Sequence, residues 1–264
     1  MATQKSASLT GMADAQPVIN DIDWDDLVDC LKKGMDDFKT YPSHLVLLVV
    51  IYPVLGMILA RLTFGYDILP LLFPIISGFA LVGPLAAVGL YELSRRREKG
   101  GKVSWKHAFA PFKSPSIGSI LTLGVLQLVI YFLWLGAALT IYRLTFGNAL
   151  PTSIPGFIYE ILTTPAGWTL IIVGGGVGFL FAVTVLIISV VSFPLILDRE
   201  VSAIEAVQTS ARAVLENPMS MTMWGIIVAT LLGIGMLPLF VGLAVTMPVL
   251  GHATWHLYRK VVKH

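Results

Sequence analysis

Long apolar stretches dominate this chain and restrict what it can fold into. They cover residues 44–64, 68–93, 117–142, 168–197 and 219–258. A bilayer core about 30 Å thick requires roughly 20 apolar residues per helix. Hydrophobic residues make up 56% of the chain and charged residues 13%, whereas a soluble protein carries about 25% charged residues. The sequence therefore predicts an all-α, polytopic membrane protein.

The last apolar stretch is about twice as long as one membrane span. Residues 235–238 (Gly-Met-Leu-Pro) interrupt it, so we expect two helices joined by a tight turn and six transmembrane helices in total. The alternative is five spans, with the last stretch partly re-entrant. Residues 1–22 are polar and predict a flexible tail, and residues 23–264 predict a single membrane domain.

Positive charge is distributed very unevenly around these spans. With six spans, 16 of the 18 lysine and arginine residues fall on one side, and only Arg61 and Arg143 fall on the other. The positive-inside rule then places both termini in the cytoplasm of a multi-pass protein. No cleavable signal peptide is recognisable, so the first span serves as its own insertion signal. The net charge of +2 gives no indication of a nucleic-acid partner.

A threefold internal repeat is visible in the turns between spans. Residues 61–70 read RLTFGYDILP and residues 143–151 read RLTFGNALP, and the third turn retains Leu237 and Pro238. The predicted unit is a short cytoplasmic amphipathic helix, an outward span, a turn and a return span. It occurs at about 23–103, 104–201 and 202–264. Each return span contains a proline that predicts a kink: Pro84, Pro194 and Pro248.

The amphipathic segments have recognisable helix starts. Asp23 is a good N-cap, and Ser202 with Glu205 forms a capping-box pattern. Apolar side chains then recur at helical spacing. They are Leu27, Leu31 and Phe38 in the first segment; Trp105, Ala108, Phe109 and Phe112 in the second; and Ile204, Val207, Ala211 and Leu215 in the third. We expect these helices to lie along the membrane surface or pack under the bundle. Docking of a partner protein is the alternative.

Ionisable residues are scarce inside the predicted spans, where they would be expensive. Glu92 lies at an inner end, and its spacing to Arg95 and Arg96 predicts a local ion pair. Asp198 and Arg199 are further inner-interface charges.

His252 and His256 lie one helical turn apart and can share a face. Such a pair can bind a metal or haem, but no cysteine, aspartate or glutamate stands nearby in the sequence. We therefore expect hydrogen bonding at the membrane interface, with no metal and no cofactor, and keep haem or metal at this pair as the alternative.

Gly174 and Gly178 form a small-residue face on the fourth span, suited to close packing against another helix of the bundle or of a partner. No nucleophile–base pair, paired carboxylates or cysteine cluster is visible, and Cys30 is the single cysteine. The chain is therefore not expected to be an enzyme.

Three segments together resemble a bacterial family of six-helix integral membrane proteins of unknown function. They are residues 31–38 (LKKGMDDF) with Pro42, residues 83–96 (GPLAAVGLYELSRR), and residues 193–199 (FPLILDR) with Ser210 and 217–218. His252 fits as well. The resemblance implies location in the bacterial inner membrane. Some members of the family carry a cytochrome c oxidase subunit label. The catalytic oxidase subunit needs more histidine ligands than the five histidines in this chain can supply. The label is therefore compatible only with an accessory role beside such a complex.

Two functions follow from these observations. The first is a non-catalytic accessory or assembly subunit of a larger inner-membrane complex, with a respiratory complex as one option. Its expected partners are membrane lipid and other membrane-protein subunits, and no nucleic acid. The alternative is a small-solute transporter or channel built from hairpin repeats.

Overall fold

The computed structural model describes residues 17–40, 66–148, 151, 153–238 and 241–263, and within them it is built from helices. The α-helices are α1 (Trp24–Thr40), α2 (Leu72–Ala86), α3 (Val88–Glu98), α4 (Ile117–Phe146), α5 (Ile154–Thr163), α6 (Pro165–Ser189), α7 (Ser192–Arg199), α8 (Ala203–Glu216), α9 (Pro218–Met236) and α10 (Leu243–Val261). Two 3₁₀ helices cover Tyr66–Leu71 and Trp105–Lys113. The predicted all-helical class is confirmed.

Four helical stretches in the described part are long and apolar enough to cross a membrane. They are Leu69–Glu98, Ile117–Phe146, Pro165–Arg199 and Pro218–Met236. These match the second to fifth predicted spans, and the first predicted span, residues 44–64, lies outside the described residues. The sixth predicted span is the helix α10, which carries His252, His256, Arg259 and Lys260 and is not among the four.

The last apolar stretch is divided as the sequence predicts. The helix α9 ends at Met236, Leu237 and Pro238 form a turn, and α10 begins at Leu243. The return stretches are also divided. Ala87 separates α2 from α3, and Val190 and Val191 separate α6 from α7. Pro84 and Pro248 lie inside α2 and α10, and Pro194 lies in α7, three positions after the break.

The polar ends of several helices meet at one end of the bundle, which we call the charged end. Glu98 at the end of α3 contacts Arg259 near the end of α10, and Asp198 at the end of α7 contacts Tyr258. Leu69, Tyr142 and Phe157 form a separate apolar cluster at the other end. The helix α1 lies at the charged end and packs mainly against α10.

The two ends of the described chain also meet at the charged end. Asn20 donates its backbone N–H to the carbonyl of Val261, and Lys263 donates to the carbonyl of Val18. The side chain of Asn217 joins them, because it accepts from the N–H of Ile22 and donates to the carbonyl of Asn20. Residues 18–22 of the predicted flexible tail are therefore held by hydrogen bonds, and residues 1–16 lie outside the described part.

The helix starts at the charged end follow the sequence, and the predicted apolar face is buried for α1 but only in part for α8. Asp23 caps α1 by accepting from Asp26 N–H at 3.0 Å, and Ser202 caps α8 by accepting from Glu205 N–H at 3.2 Å. The buried side of α8, however, consists of Ala206, Thr209, Ser210 and Ala213. Of its predicted apolar face, Ile204 and Leu215 are exposed, whereas Val207 is half-buried and packs against the core. Small residues here allow α8 to approach the bundle closely, and the exposed side chains of Ile204 and Leu215 face the surroundings.

Candidate functional site

A buried polar cluster lies where α1, α3 and α10 meet at the charged end. It consists of Asp37 from α1, Ser94 and Arg97 from α3, and His252 and His256 from α10. Asp37, Ser94 and His252 are almost fully buried. Buried polar groups are stable only when they are hydrogen-bonded, so the positions of these three helices are linked by this network.

Asp37 is the acceptor that the cluster shares. Its Oδ2 accepts from Ser94 Oγ at 2.6 Å and from His256 Nε2 at 2.9 Å. Its Oδ1 accepts from the guanidinium of Arg97, which also donates to Asp36 Oδ2 at 2.9 Å. An ionised carboxylate can accept up to four such bonds and donates none, so Asp37 is satisfied as an anion.

The hydrogen bonds define the orientation of His252. Ser94 has one proton, which it donates to Asp37, so its oxygen must accept from His252 Nδ1 at 2.6 Å. The neutral imidazole therefore carries its proton on Nδ1. Its Nε2 is then an acceptor, and it has no hydrogen-bond partner within the part of the chain that the structure describes.

Ion pairs surround this cluster and bind the same helices together. Lys260 on α10 contacts Asp26 at 2.8 Å and Asp29 at 3.2 Å on α1. Glu98 accepts from Arg259 at 2.8 Å and from Trp255 Nε1 at 3.0 Å. Lys260, Glu98 and Arg259 border a polar cavity of about 470 Å³. Its lining is Lys33, Asp36, Asp37, Ser94, Arg97, Glu98, His256, Arg259 and Lys260.

A second cavity, of about 420 Å³, lies between α2, α3, α6, α9 and α10. Its walls are almost entirely apolar and include Pro84 with its neighbour Gly83, and Pro248 with Gly251, three positions further along α10. Pro194 is buried and is not in the lining. Two of the three predicted kink prolines therefore border one cavity.

The predicted inner-interface charges all lie at the charged end. Glu92 is buried and forms the expected ion pairs, with Arg95 at 2.8 Å and with Arg96. Asp198 accepts from Tyr258 at 3.0 Å and lies 3.6 Å from Lys99. Arg199 donates to the carbonyl of Lys263 at 2.6 Å. Asp198 and Arg199 link separate segments of the chain, whereas the ion pairs of Glu92 lie within α3.

The predicted glycine face of α6 is used at one position only. A β-carbon added to Gly178 would lie 3.0 Å from the ring of Trp134 on α4, so this glycine permits close packing of the two helices. A β-carbon added to Gly174, Gly175 or Gly176 would meet nothing within 4 Å among the described residues.

The histidine pair has a carboxylate neighbour, Asp37, that the sequence around the two histidines does not reveal. His252 and His256 share a face of α10 as predicted, and a carboxylate that is distant in the sequence lies near both. Asp37 stands 219 positions before His256 in the chain and reaches both histidines. In the described ranges no group of three or more His, Cys, Asp or Glu side chains is placed to hold a metal ion. Haem or metal binding at this pair remains the untested alternative.

Residues 72–198 match the family model described as "Predicted integral membrane protein (DUF2189)", a domain of unknown function. The expected family resemblance is confirmed. The match covers α2 to α7, just under half of the chain, and so includes Ser94 and Arg97 but not Asp37, His252 or His256. No curated protein and no solved structure matches the chain.

Acid should weaken the link between α1 and α10 through Asp37. Burial raises the pKa of this carboxyl, but hydrogen bonds from His256 and Ser94 outweigh burial and lower the pKa to about 2. An unfolded aspartate has a pKa near 3.9, so the stabilisation is present above about pH 4 and is lost as the pH falls toward 2.

We therefore expect the wild type to lose roughly 2 kcal/mol more unfolding free energy than Asp37→Asn between pH 5 and pH 2. Unfolding in detergent over a pH series measures the difference. Asp36→Asn is the control, since this carboxylate is exposed, and it should keep the wild-type pH dependence. Parallel curves for the wild type and Asp37→Asn would contradict the assignment.

Proposed function

We propose that this chain is a non-catalytic accessory or assembly subunit of a larger membrane complex. It crosses the bacterial inner membrane six times as three hairpins, with both termini in the cytoplasm. Respiratory complexes are the first to test, because some members of the family that this chain resembles carry a cytochrome c oxidase subunit label. The observation that most supports this proposal is the glycine surface of α6, formed by Gly175 and Gly176.

Three consecutive glycines in a membrane helix need a reason to be there. Each destabilises a helix interior by about 1 kcal/mol relative to alanine. In membranes, such small residues characteristically let another helix approach closely. Gly175 and Gly176 lie on the same helix face as the exposed apolar side chains of Ile172 and Phe179, and they face open space in the described part of the structure. This surface is shaped to receive a helix.

The polar cluster supports the non-catalytic part of the proposal. Ser94 is the hydroxyl nearest a histidine in the cluster, but it is almost completely buried and donates its proton to Asp37. A catalytic serine must instead reach a substrate and donate to its general base. The network is better suited to holding three helices in place.

A transporter is the second candidate, and the apolar cavity favours it. Prolines in membrane helices release backbone carbonyls, which can line a transport site. Pro84 and Pro248 border the same cavity. Against this, the hydroxyls of Ser189 and Thr254 in its lining donate to carbonyls of their own helices.

Gentle extraction followed by native gel separation and mass spectrometry tests the proposal. We expect the wild type to migrate with other membrane subunits and Gly175→Leu to lose at least about nine tenths of this association. Gly178→Leu is unsuitable because its side chain would collide with Trp134. Gly136→Leu on α4 is the matched control, since this glycine is also exposed with nothing within 4 Å among the described residues.

Three results would count against the accessory role. Migration of the wild type alone, as a monomer or small homo-oligomer, would favour the transporter and direct the work to flux assays in vesicles. Unchanged co-migration of Gly175→Leu would remove the glycine surface from the proposal. A disulfide within one chain, between Gly175→Cys and a cysteine placed in residues 44–64, would assign the surface to the chain's own first predicted span.

A further inference from the structure

An exposed aromatic ridge stands on the 3₁₀ helix Trp105–Lys113, which joins α3 to α4 at the charged end. Trp105, Phe109 and Phe112 are 36%, 43% and 67% exposed. The ring of Phe109 packs edge-on against Trp105 at 6.2 Å and stacks with Phe112 at 6.4 Å. The three rings form one continuous apolar surface directed away from the protein.

The opposite side of this helix fixes the direction of the ridge. Ala108 and Pro111 are buried, and Ala108 packs in a cluster with Leu90 and Leu93 of α3. A β-carbon added to Gly89 would lie 2.8 Å from the carbonyl oxygen of Ala108, so the backbones are in close contact. The helix start is also closed by a capping box between Ser104 and His107. The ridge therefore cannot turn inward without breaking this contact.

Uncompensated positive charge flanks the ridge. Lys102, Lys106 and Lys113 are exposed, and none has an ion-pair partner in the described part of the chain. No acidic residue occurs anywhere between positions 99 and 159. Several other cations at this end are neutralised, for example Lys260 by Asp26 and Asp29. Three positive charges without a protein partner in the described residues therefore lie beside the aromatic rings.

The depth of the segment follows from the helix after it. The helix α4 begins at Ile117, four residues after Lys113, and is apolar enough to cross a membrane. The ridge thus lies where the chain enters the bilayer. Aromatic rings favour the headgroup level, and lysines beside a span are attracted to anionic headgroups.

From these placements, we infer that the ridge and its three lysines bind anionic phospholipid headgroups. The rings enter the interface between headgroups and acyl chains, and the ammonium groups of Lys102, Lys106 and Lys113 contact the lipid phosphates. This interaction does not depend on whether the chain is an accessory subunit or a transporter.

Native mass spectrometry of the full chain, released from nanodiscs of equal phosphatidylcholine and phosphatidylglycerol, tests the inference. Each lysine near an anionic surface is worth roughly a fivefold preference. We expect the wild type to retain phosphatidylglycerol over phosphatidylcholine by at least about fivefold. The triple variant Lys102→Gln, Lys106→Gln, Lys113→Gln should lose most of this preference, and the corresponding triple Arg variant should keep it.

A matched control distinguishes a local effect of the ridge lysines from the effect of lowering the net charge of the protein. The variant Lys32→Gln, Lys39→Gln, Lys263→Gln removes the same charge from exposed lysines at the same end of the bundle. It should retain the wild-type preference. An equal loss in both Gln variants would overturn the inference in favour of a general charge effect. An unchanged preference in the Lys102, Lys106, Lys113 variant would overturn it outright.

Discussion

Replacement of Asp37 with alanine is expected to lower the free energy of unfolding by about 3–5 kcal/mol. Removing one partner of a buried ion pair leaves the other groups without compensation, and this is the measured range for such losses. Here the loss affects Arg97, His256 and Ser94 at once, since all three donate to the same carboxylate. Ser94 is also the acceptor for His252, so the effect reaches a fourth group.

Thermal or denaturant unfolding in matched detergent micelles measures this loss. Asp36→Ala is the control, because Asp36 precedes Asp37 on the same helix and also accepts from Arg97, but its side chain is 68% exposed. An exposed ion pair contributes about 0–1 kcal/mol, so the control should be nearly as stable as the wild type.

A third variant keeps the test decisive if Asp37→Ala does not fold. Asp37→Asn preserves the side-chain shape and can still accept from Ser94, so its stability should fall between those of the other two variants. Equal stability of Asp37→Ala and Asp36→Ala would show that the cluster does not hold the helices together.

Only part of this cluster is predictable from the sequence. The spacing of His252 and His256 predicts their shared face because it depends on the geometry of one helix. The partnership with Asp37 joins the two ends of the chain, and periodicity within one segment carries no information about such contacts. One signal was available: Leu27, Cys30, Gly34 and Asp37 repeat at helical spacing and form the buried face of α1. A carboxylate on a buried helix face requires partners.

The outward apolar faces show a second limit of sequence reasoning. In water, the apolar face of an amphipathic helix is expected to pack against protein. At a membrane interface, lipid is an equally apolar neighbour, so the pattern cannot choose between them. The helix α8 exposes Ile204 and Leu215 and packs through Ala206 and Ala213.

The helix α5 (Ile154–Thr163) was missed, although its start was marked. Ser153 accepts from Gly156 N–H at 3.1 Å, and a proline occupies the first turn. Serine followed closely by proline is a common helix start. Its ten residues are too few to cross a bilayer, so counting membrane spans does not detect it.

Replacement of Gly34 with leucine is expected to separate α1 from α10 and to destabilise the chain by at least about 3 kcal/mol. Overpacking of a well-packed core usually costs about 1–3 kcal/mol, and more where the neighbours cannot move. A β-carbon at Gly34 would lie 2.7 Å from both the backbone nitrogen of Ala253 and the carbonyl oxygen of Val249. Since these are backbone atoms, α10 itself would have to shift, together with His252 and His256.

Two measurements distinguish this outcome from a general effect of adding leucine. Unfolding in detergent gives the stability, and hydrogen exchange reports whether α1 loses protection while the spanning helices keep theirs. Gly118→Leu is the control, because this glycine is exposed in the first turn of α4 with nothing within 4 Å among the described residues. In an open helical position, replacing glycine is stabilising or neutral. If Gly34→Leu were as stable as Gly118→Leu and α1 stayed protected, the close approach of α1 and α10 would be refuted, and with it the geometry that brings Asp37 to the histidines.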